Sequence, residues 1–177
     1  MTKNNDIIWL TEVDSTNKYV KNNIDTLDNL SVVSALSRTA GRGQGDHTWH
    51  SAPGENLLFS ILLKEPAVAP NCQKLISDAV AESMVQLLEK HGIEAWIKPP
   101  NDIWVKDKKI CGILIEHALL SGRISWSILG VGLNVNQTVF PSDLPNPTSM
   151  ALEGHGGNPE EILTEYLEIF KLSSFLK

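Results

Sequence analysis

Lys98, Asn101, Asp102 and Lys109 gather around one tight turn in the segment KPPNDIWVKDKKICGILIE. Two cations, a carboxylate and an amide on rigid supports can bind an anion and stabilise charge that develops on it. No apolar core requires such a set. A second segment, RTAGRGQGDHTWHSAPGENLLFSILL, places Gly41, Gly43 and Gly45 at alternate positions beside Arg38 and Arg42. Glycines let a backbone bring its N–H groups close to a phosphate-like anion, although the same composition equally suits a mobile surface loop. A third segment, GVGLN at 130–134, closes an apolar run with two glycines and Asn134.

The elements that must position these groups follow from patterning. Ile103-Trp104-Val105 and Ile113-Leu114-Ile115 are rich in β-branched and aromatic side chains, with Lys106-Asp107-Lys108 as a hairpin connection between them. Further strands are predicted over 7–13, 31–36, 56–63, 94–97 and 124–131, the 56–63 strand half-buried. The residues of 102–105 and 109–118 form the hairpin arms. Asp14 or Ser15 caps a short helix reaching Tyr19 and Val20. Leu75, Ile76, Ala79, Val80, Met84, Leu87 and Leu88 repeat at helical spacing and predict a helix over 73–91. Asn158-Pro159-Glu160-Glu161 starts a last helix. Strands joined by hairpins with helices grouped between them predict an α+β fold, a mixed and largely antiparallel sheet with helices packed on one face.

The 177 residues, 42% of them hydrophobic, suit one domain with a substantial core. A net charge of −6, from 15 basic and 21 acidic residues, argues against a sequence-independent grip on nucleic acid. No apolar run suggests a signal peptide or a membrane span, so a cytoplasmic protein with no membrane or DNA partner is expected. Cys72 and Cys111 lack zinc-site spacing and read as free thiols. No protein-held metal site is expected.

Several residues carry two readings. Trp49 suits a core as well as a ligand contact. Asn101-Asp102 is a common turn pair. Lys109 could be a solvated hairpin lysine, as Lys106 and Lys108 are read to be. Ser15-Thr16-Asn17 is explained by helix capping alone.

These three segments, together with Asp14-Ser15-Thr16-Asn17, follow one another along residues 8–134 in an order that resembles the catalytic domain of the biotin protein ligases. That resemblance implies a class II synthetase-like biotin/lipoate ligase fold. It also implies activation of biotin by ATP with Mg²⁺ to biotinyl-5′-AMP, and transfer to a lysine of a biotin carboxyl carrier protein. By position it implies that Ser15, Thr16, Asn17, Arg38, Gly41, Arg42, Gly43, Gly112, Leu114, Gly130 and Gly132 contact biotin. Gln44, His47, Trp49, Lys98, Asn101, Asp102 and Asn134 fall at nucleotide positions. Lys109 would touch both the biotin carboxylate and the α-phosphate, with Arg42 and Asp102 as further catalytic groups, Asp102 orienting or deprotonating the acceptor lysine. Arg38 and Pro99 stand where the family usually has glutamine and tryptophan. On this reading residues 1–177 are a single catalytic domain without the family's C-terminal SH3-like domain or an N-terminal DNA-binding domain. A homodimer through a sheet edge is expected at 113–115 or 124–129. The alternatives are a truncated module that binds biotin or its adenylate with little catalysis, and a lipoate or octanoate transferase of related fold.

Overall fold

The computed structural model describes residues 7–41, 49–100 and 102–171. Seven strands form one sheet: β1 (Ile7–Val13), β2 (Val32–Arg38), β3 (Leu57–Lys64), β4 (Trp96–Lys98), β5 (Asp102–Val105), β6 (Lys108–Leu120) and β7 (Arg123–Leu133). Their spatial order is β1-β2-β3-β7-β6-β5-β4. Only β1 and β2 pair in parallel, so the sheet is mixed and largely antiparallel. Three helices cover it: α1 (Thr16–Asn22), α2 (Lys74–Lys90) and α3 (Pro159–Phe170).

Side chains alternate across a strand, and this alternation divides the core. Leu57, Phe59, Ile61 and Leu63 of β3 join Leu129, Val131 and Leu133 of β7 beneath α2 and α3. Leu62 and Ile128 face the other way, with Val33 and Val20 of α1. The helices therefore do not all share a face: α1 packs opposite α2 and α3. That is why β3 is buried from Leu57 to Leu63 rather than half-buried as its pattern suggests.

Local chemistry sets the helix ends. Ser15 caps α1, its side chain accepting from the Lys18 N–H. Asn158 caps α3 by accepting from the Glu160 N–H at 2.9 Å, with Pro159 in the first turn. In α2 the buried stripe is Ile76, Val80, Ala81, Met84, Leu87 and Leu88. Leu75, predicted to belong to this stripe, is instead 55% exposed, while its neighbour Ile76 in the same turn is fully buried.

β7 pairs with β3 from Trp126 to Leu133 and with β6 along its length. The segment 124–129 is therefore interior, and the expectation of an exposed edge there is corrected. The outer strands are β1 and β4. Among the described residues β5 pairs with β6 only as far as Asp102 opposite Gly112, and β6 from Leu114 onward pairs with β7 alone.

Phe59 and Tyr166 pack at 5.2 Å between ring centroids, tilted by 59° at the junction of β3 and α3. Phe59→Ala is expected to cost about 3–5 kcal/mol, read as a lowered urea midpoint with little change in the slope of the transition. A loss below about 1 kcal/mol would contradict this packing scheme.

Candidate active site

The face opposite α2 and α3 is unusually bare. Gly112 of β6 lies opposite Gly132 of β7, and Leu114 lies opposite Gly130. A Cβ on Gly112 would stand 2.7 Å from Cζ3 of Trp49, and one on Gly132 would stand 2.8 Å from its Cε2. The Trp49 indole thus lies directly on the backbone of two central strands, a seat that any larger residue would close. Gly130 is crowded in the same way by Asn17, whose Oδ1 would be 2.3 Å from an added Cβ.

Lys109 reaches this face through a β-bulge. Ile103 pairs with Cys111 and Trp104 with Lys109, so Ile110 is the extra residue on β6. In a regular strand Lys109 and Gly112 would point to opposite faces. The added residue puts them on one, and both Ile110 and Cys111 enter the core. The main chain of Lys109 is held from the other side: its N–H donates to the Asn146 carbonyl at 2.8 Å, and its carbonyl accepts from Thr148 N–H at 2.9 Å. Lys109 Nζ sits 2.8 Å from Asp102 Oδ1 and 5.4 Å from the centre of the Trp49 ring.

Beside Lys109 lies a cavity of about 290 Å³ lined by Trp49, Asp102, Trp104 and Asn134, and by Phe140, Leu144, Pro145 and Pro147 from the segment after β7. Its walls hold polar atoms without partners. The indole N–H groups of Trp49 and Trp104 and the Oδ1 of Asn134 are shielded from water and make no hydrogen bond. Buried polar atoms are normally satisfied, so three exceptions among residues that line one cavity point to an occupant. Asn134 Nδ2, by contrast, donates to the Thr148 carbonyl at 2.9 Å. Lys98 lies 3.5 Å over the Trp104 ring, a cation–π contact that fixes the outer wall.

The α1 end of the face is a closed polar cluster. Asn17 Nδ2 donates to the Leu114 carbonyl at 3.2 Å and to Glu116 Oε2 at 3.0 Å. Ser60 of β3 donates to Asn17 Oδ1 at 2.6 Å, and its Oγ is 2.8 Å from Thr16 Oγ1. Thr16 and Ser60 are fully buried. Only one lone pair of the Asn17 amide is left for a ligand. At the base of the glycine-rich segment, Asn56 donates to Ser51 Oγ and Gln137 Oε1 and accepts from Val135 N–H, tying that base to the end of β7.

Of the residues singled out from sequence, the fold brings Lys109, Asp102, Trp49, Gly112, Gly132 and Asn134 together, with Ser15, Thr16, Asn17, Leu114 and Gly130 at the adjoining end. Lys98 contributes through Trp104. The Gly41 carbonyl accepts the Trp49 N–H at 2.9 Å. Arg42, Gly43, Gln44, His47 and Asn101 lie outside the described residues. Sequence reasoning missed Ser60, Glu116, Trp104 and the Phe140–Pro147 wall. Ser60 had a signal, as the lone polar residue in LLFSILL.

Residues 9–134 match the biotin/lipoate A/B protein ligase family. The chain belongs to that family. Among curated relatives, the bifunctional ligase/repressor BirA of Bacillus subtilis is 35% identical over 116 residues, covering 66% of this chain and 35% of the relative. The chloroplastic biotin–protein ligase 1 of Arabidopsis thaliana is 32% identical over 171 residues, covering 93% and 46%. The solved biotin protein ligase of Aquifex aeolicus, in complex with biotin and ATP, aligns with a TM-score of 0.73 at 29% identity, covering 94% of this chain and 68% of that one. The Leishmania major biotin protein ligase has the same fold, with a TM-score of 0.75 at 24% identity over 96% of this chain and 75% of that one. The chain therefore spans less than half the length of these two curated relatives.

Arg38, a family-position residue at the end of β2, is partly buried, and its Nε makes no hydrogen bond. Burial lowers its pKa from 12.5 to about 10. A base whose folded pKa is depressed destabilises the fold while both states are charged, and the penalty fades as pH rises through the folded value. Arg38→Met should be more stable than the parent by about 1–2 kcal/mol near neutral pH. The gap should narrow between pH 9 and 11 in paired urea titrations. A gap that stays constant with pH would show that desolvation of the guanidinium is not its cause.

Proposed function

We propose that this chain is the catalytic unit of an ATP-dependent biotin protein ligase, with residues 1–177 forming one functional domain. The observation that carries the proposal is Lys109. The bulge at Ile110 sets its ammonium between the glycine-floored strip and the Trp104–Asn134 cavity, where an acyl ligand on the strip and a nucleotide in the cavity would meet.

In the first step a biotin carboxylate oxygen attacks the α-phosphorus of ATP, the bond to the β,γ-phosphates breaks, and pyrophosphate leaves. Two anions must approach, and Lys109 Nζ would offset the charge that accumulates between them. In the second step the amine of a carrier lysine attacks the acyl carbon, AMP leaves and the amine loses a proton. Asp102, already 2.8 Å from Lys109 Nζ, would orient that amine or take the proton. Ser15 and Thr16 would meet the ureido ring, the glycines and Leu114 its apolar ring and tail, and Trp49 and Asn134 the nucleotide. Arg38, Gly41, Arg42, Gly43, Gln44, His47, Lys98 and Asn101 keep the roles their positions imply.

Among the described residues no group of three or more His, Cys, Asp or Glu is arranged to hold a metal. Mg²⁺ would come with ATP and be held mainly by its phosphates, for which the unpartnered Asn134 Oδ1 is a fitting neighbour. The acceptor is a biotin carboxyl carrier protein or domain. The flank of β6 beyond Leu114 would serve a homodimer. No helix among the described residues is long and apolar enough to cross a membrane, and the ATP requirement suits the cytoplasm.

The test is pyrophosphate release with biotin and Mg-ATP, followed by labelling of a carrier domain. Lys109→Ala is expected to lower release on the order of 100-fold or more, with biotin binding reduced less. Unchanged release would remove Lys109 from the chemistry. Biotin binding without release by the parent chain would favour a binding module.

A further inference from the structure

The cluster at the α1 end has a hydrogen-bond direction that its chemistry decides. Asn17 Nδ2 faces the Leu114 carbonyl and the Glu116 carboxylate, which only accept, so the amide can sit in one orientation alone. Lys21 Nζ stands 3.6 Å from Glu116 Oε1 on the exposed side of that carboxylate. Asn17 Oδ1 must then accept, and the single proton of Ser60 is committed to it at 2.6 Å. The 2.8 Å contact between Ser60 and Thr16 can consequently be made only by the Thr16 proton. Thr16 is left with lone pairs and no proton to offer. Ser15 is the opposite case, since its Oγ accepts the Lys18 N–H and keeps its own proton.

We infer that Ser60 is a positioning residue that polarises Thr16 into a hydrogen-bond acceptor, so that the site selects a ligand presenting N–H at Thr16. This rests on the biotin reading above, in which the ureido ring meets Ser15 and Thr16. A ureido group offers N–H to Thr16 and a carbonyl oxygen to the Ser15 proton. A cyclic carbamate, with ring oxygen in place of one N–H, sets acceptor against acceptor. Ser60 would act through Thr16, and the carboxylate that orients the Asn17 amide for this relay is Glu116.

The experiment measures dissociation constants, by calorimetry, for biotin and for its two cyclic carbamate analogues, each lacking one ureido N–H. In the parent protein one of the two analogues is expected to bind weaker than biotin on the order of 10- to 100-fold. In Ser60→Ala the Thr16 proton is released to turn toward the ring oxygen, and the ratio should fall toward one. A purely structural loss would weaken all three ligands alike, and an unchanged ratio in Ser60→Ala overturns the inference. Should that variant not fold, Ser60→Cys takes its place, its weaker S–H donor lowering the same ratio, and an unchanged ratio there is equally contrary. A parent chain that binds no biotin overturns the biotin reading and this inference with it. A parent that binds biotin with no preference over either carbamate overturns only the inference.

Discussion

The extra residue at Ile110 is the constraint on which the site depends. Side chains in a strand alternate strictly, so a lysine and a glycine three positions apart cannot share a face unless the register slips. One inserted residue re-aims Lys109 onto the bare face and sends Ile110 and Cys111 together into the core. The lost ladder pairing is made good by the segment 146–148, which binds the main chain of Lys109, and by the Asn134 N–H, which donates to the Ile110 carbonyl at 3.0 Å. The catalytic candidate is thus held by main-chain bonds from two sides, as a preorganised cation must be if it is to act without rearranging.

The bare face itself follows from what β6 and β7 lack. Glycines at 112, 130 and 132 leave the middle of a seven-stranded sheet open to side chains lying flat on its backbone. Such openings weaken strands, and the loss is offset on the opposite face, where α2 and α3 cover a continuous apolar layer that includes Phe59, Tyr166 and Phe170. One face supplies stability and the other is free to carry unsatisfied groups. The orphan atoms of Trp49, Trp104 and Asn134 belong to that division, since local strain is tolerated where the surrounding structure over-determines it.

Much of this was legible in the chain. Local patterns fixed the extents of β1 and β5 and placed the hairpin turn at 106–108, where the structure draws Lys108 into β6, and the Ser15 and Asn158 caps have the side chains that satisfy free helix N–H groups. The order of the four motif segments was sufficient for the family. What escaped sequence reasoning were properties of pairing and of contacts distant in the chain. A bulge is a relation between two strands, so no residue of KKICGILIE announces it. The full burial of β3 depends on α1, which lies some forty residues earlier in the chain. Asn17 reads as a cap neighbour or a ligand, and its tie to Leu114 and Glu116 appears only when β6 is brought beside α1. Phe140, Leu144, Pro145 and Pro147 show no periodicity, so nothing local marks them as a wall.

Catalysis at this site requires a ligand seated on the glycine-floored face with its reacting end at Lys109. A crystal structure of the chain with biotin and a non-hydrolysable ATP analogue measures this directly. The bicyclic ring should lie on the Gly112–Gly130–Gly132 face near Ser15 and Thr16, with its carboxylate and the α-phosphate both within hydrogen-bonding distance of Lys109 Nζ. Biotin bound elsewhere, or a nucleotide whose α-phosphate lies beyond reach of Lys109, would contradict it.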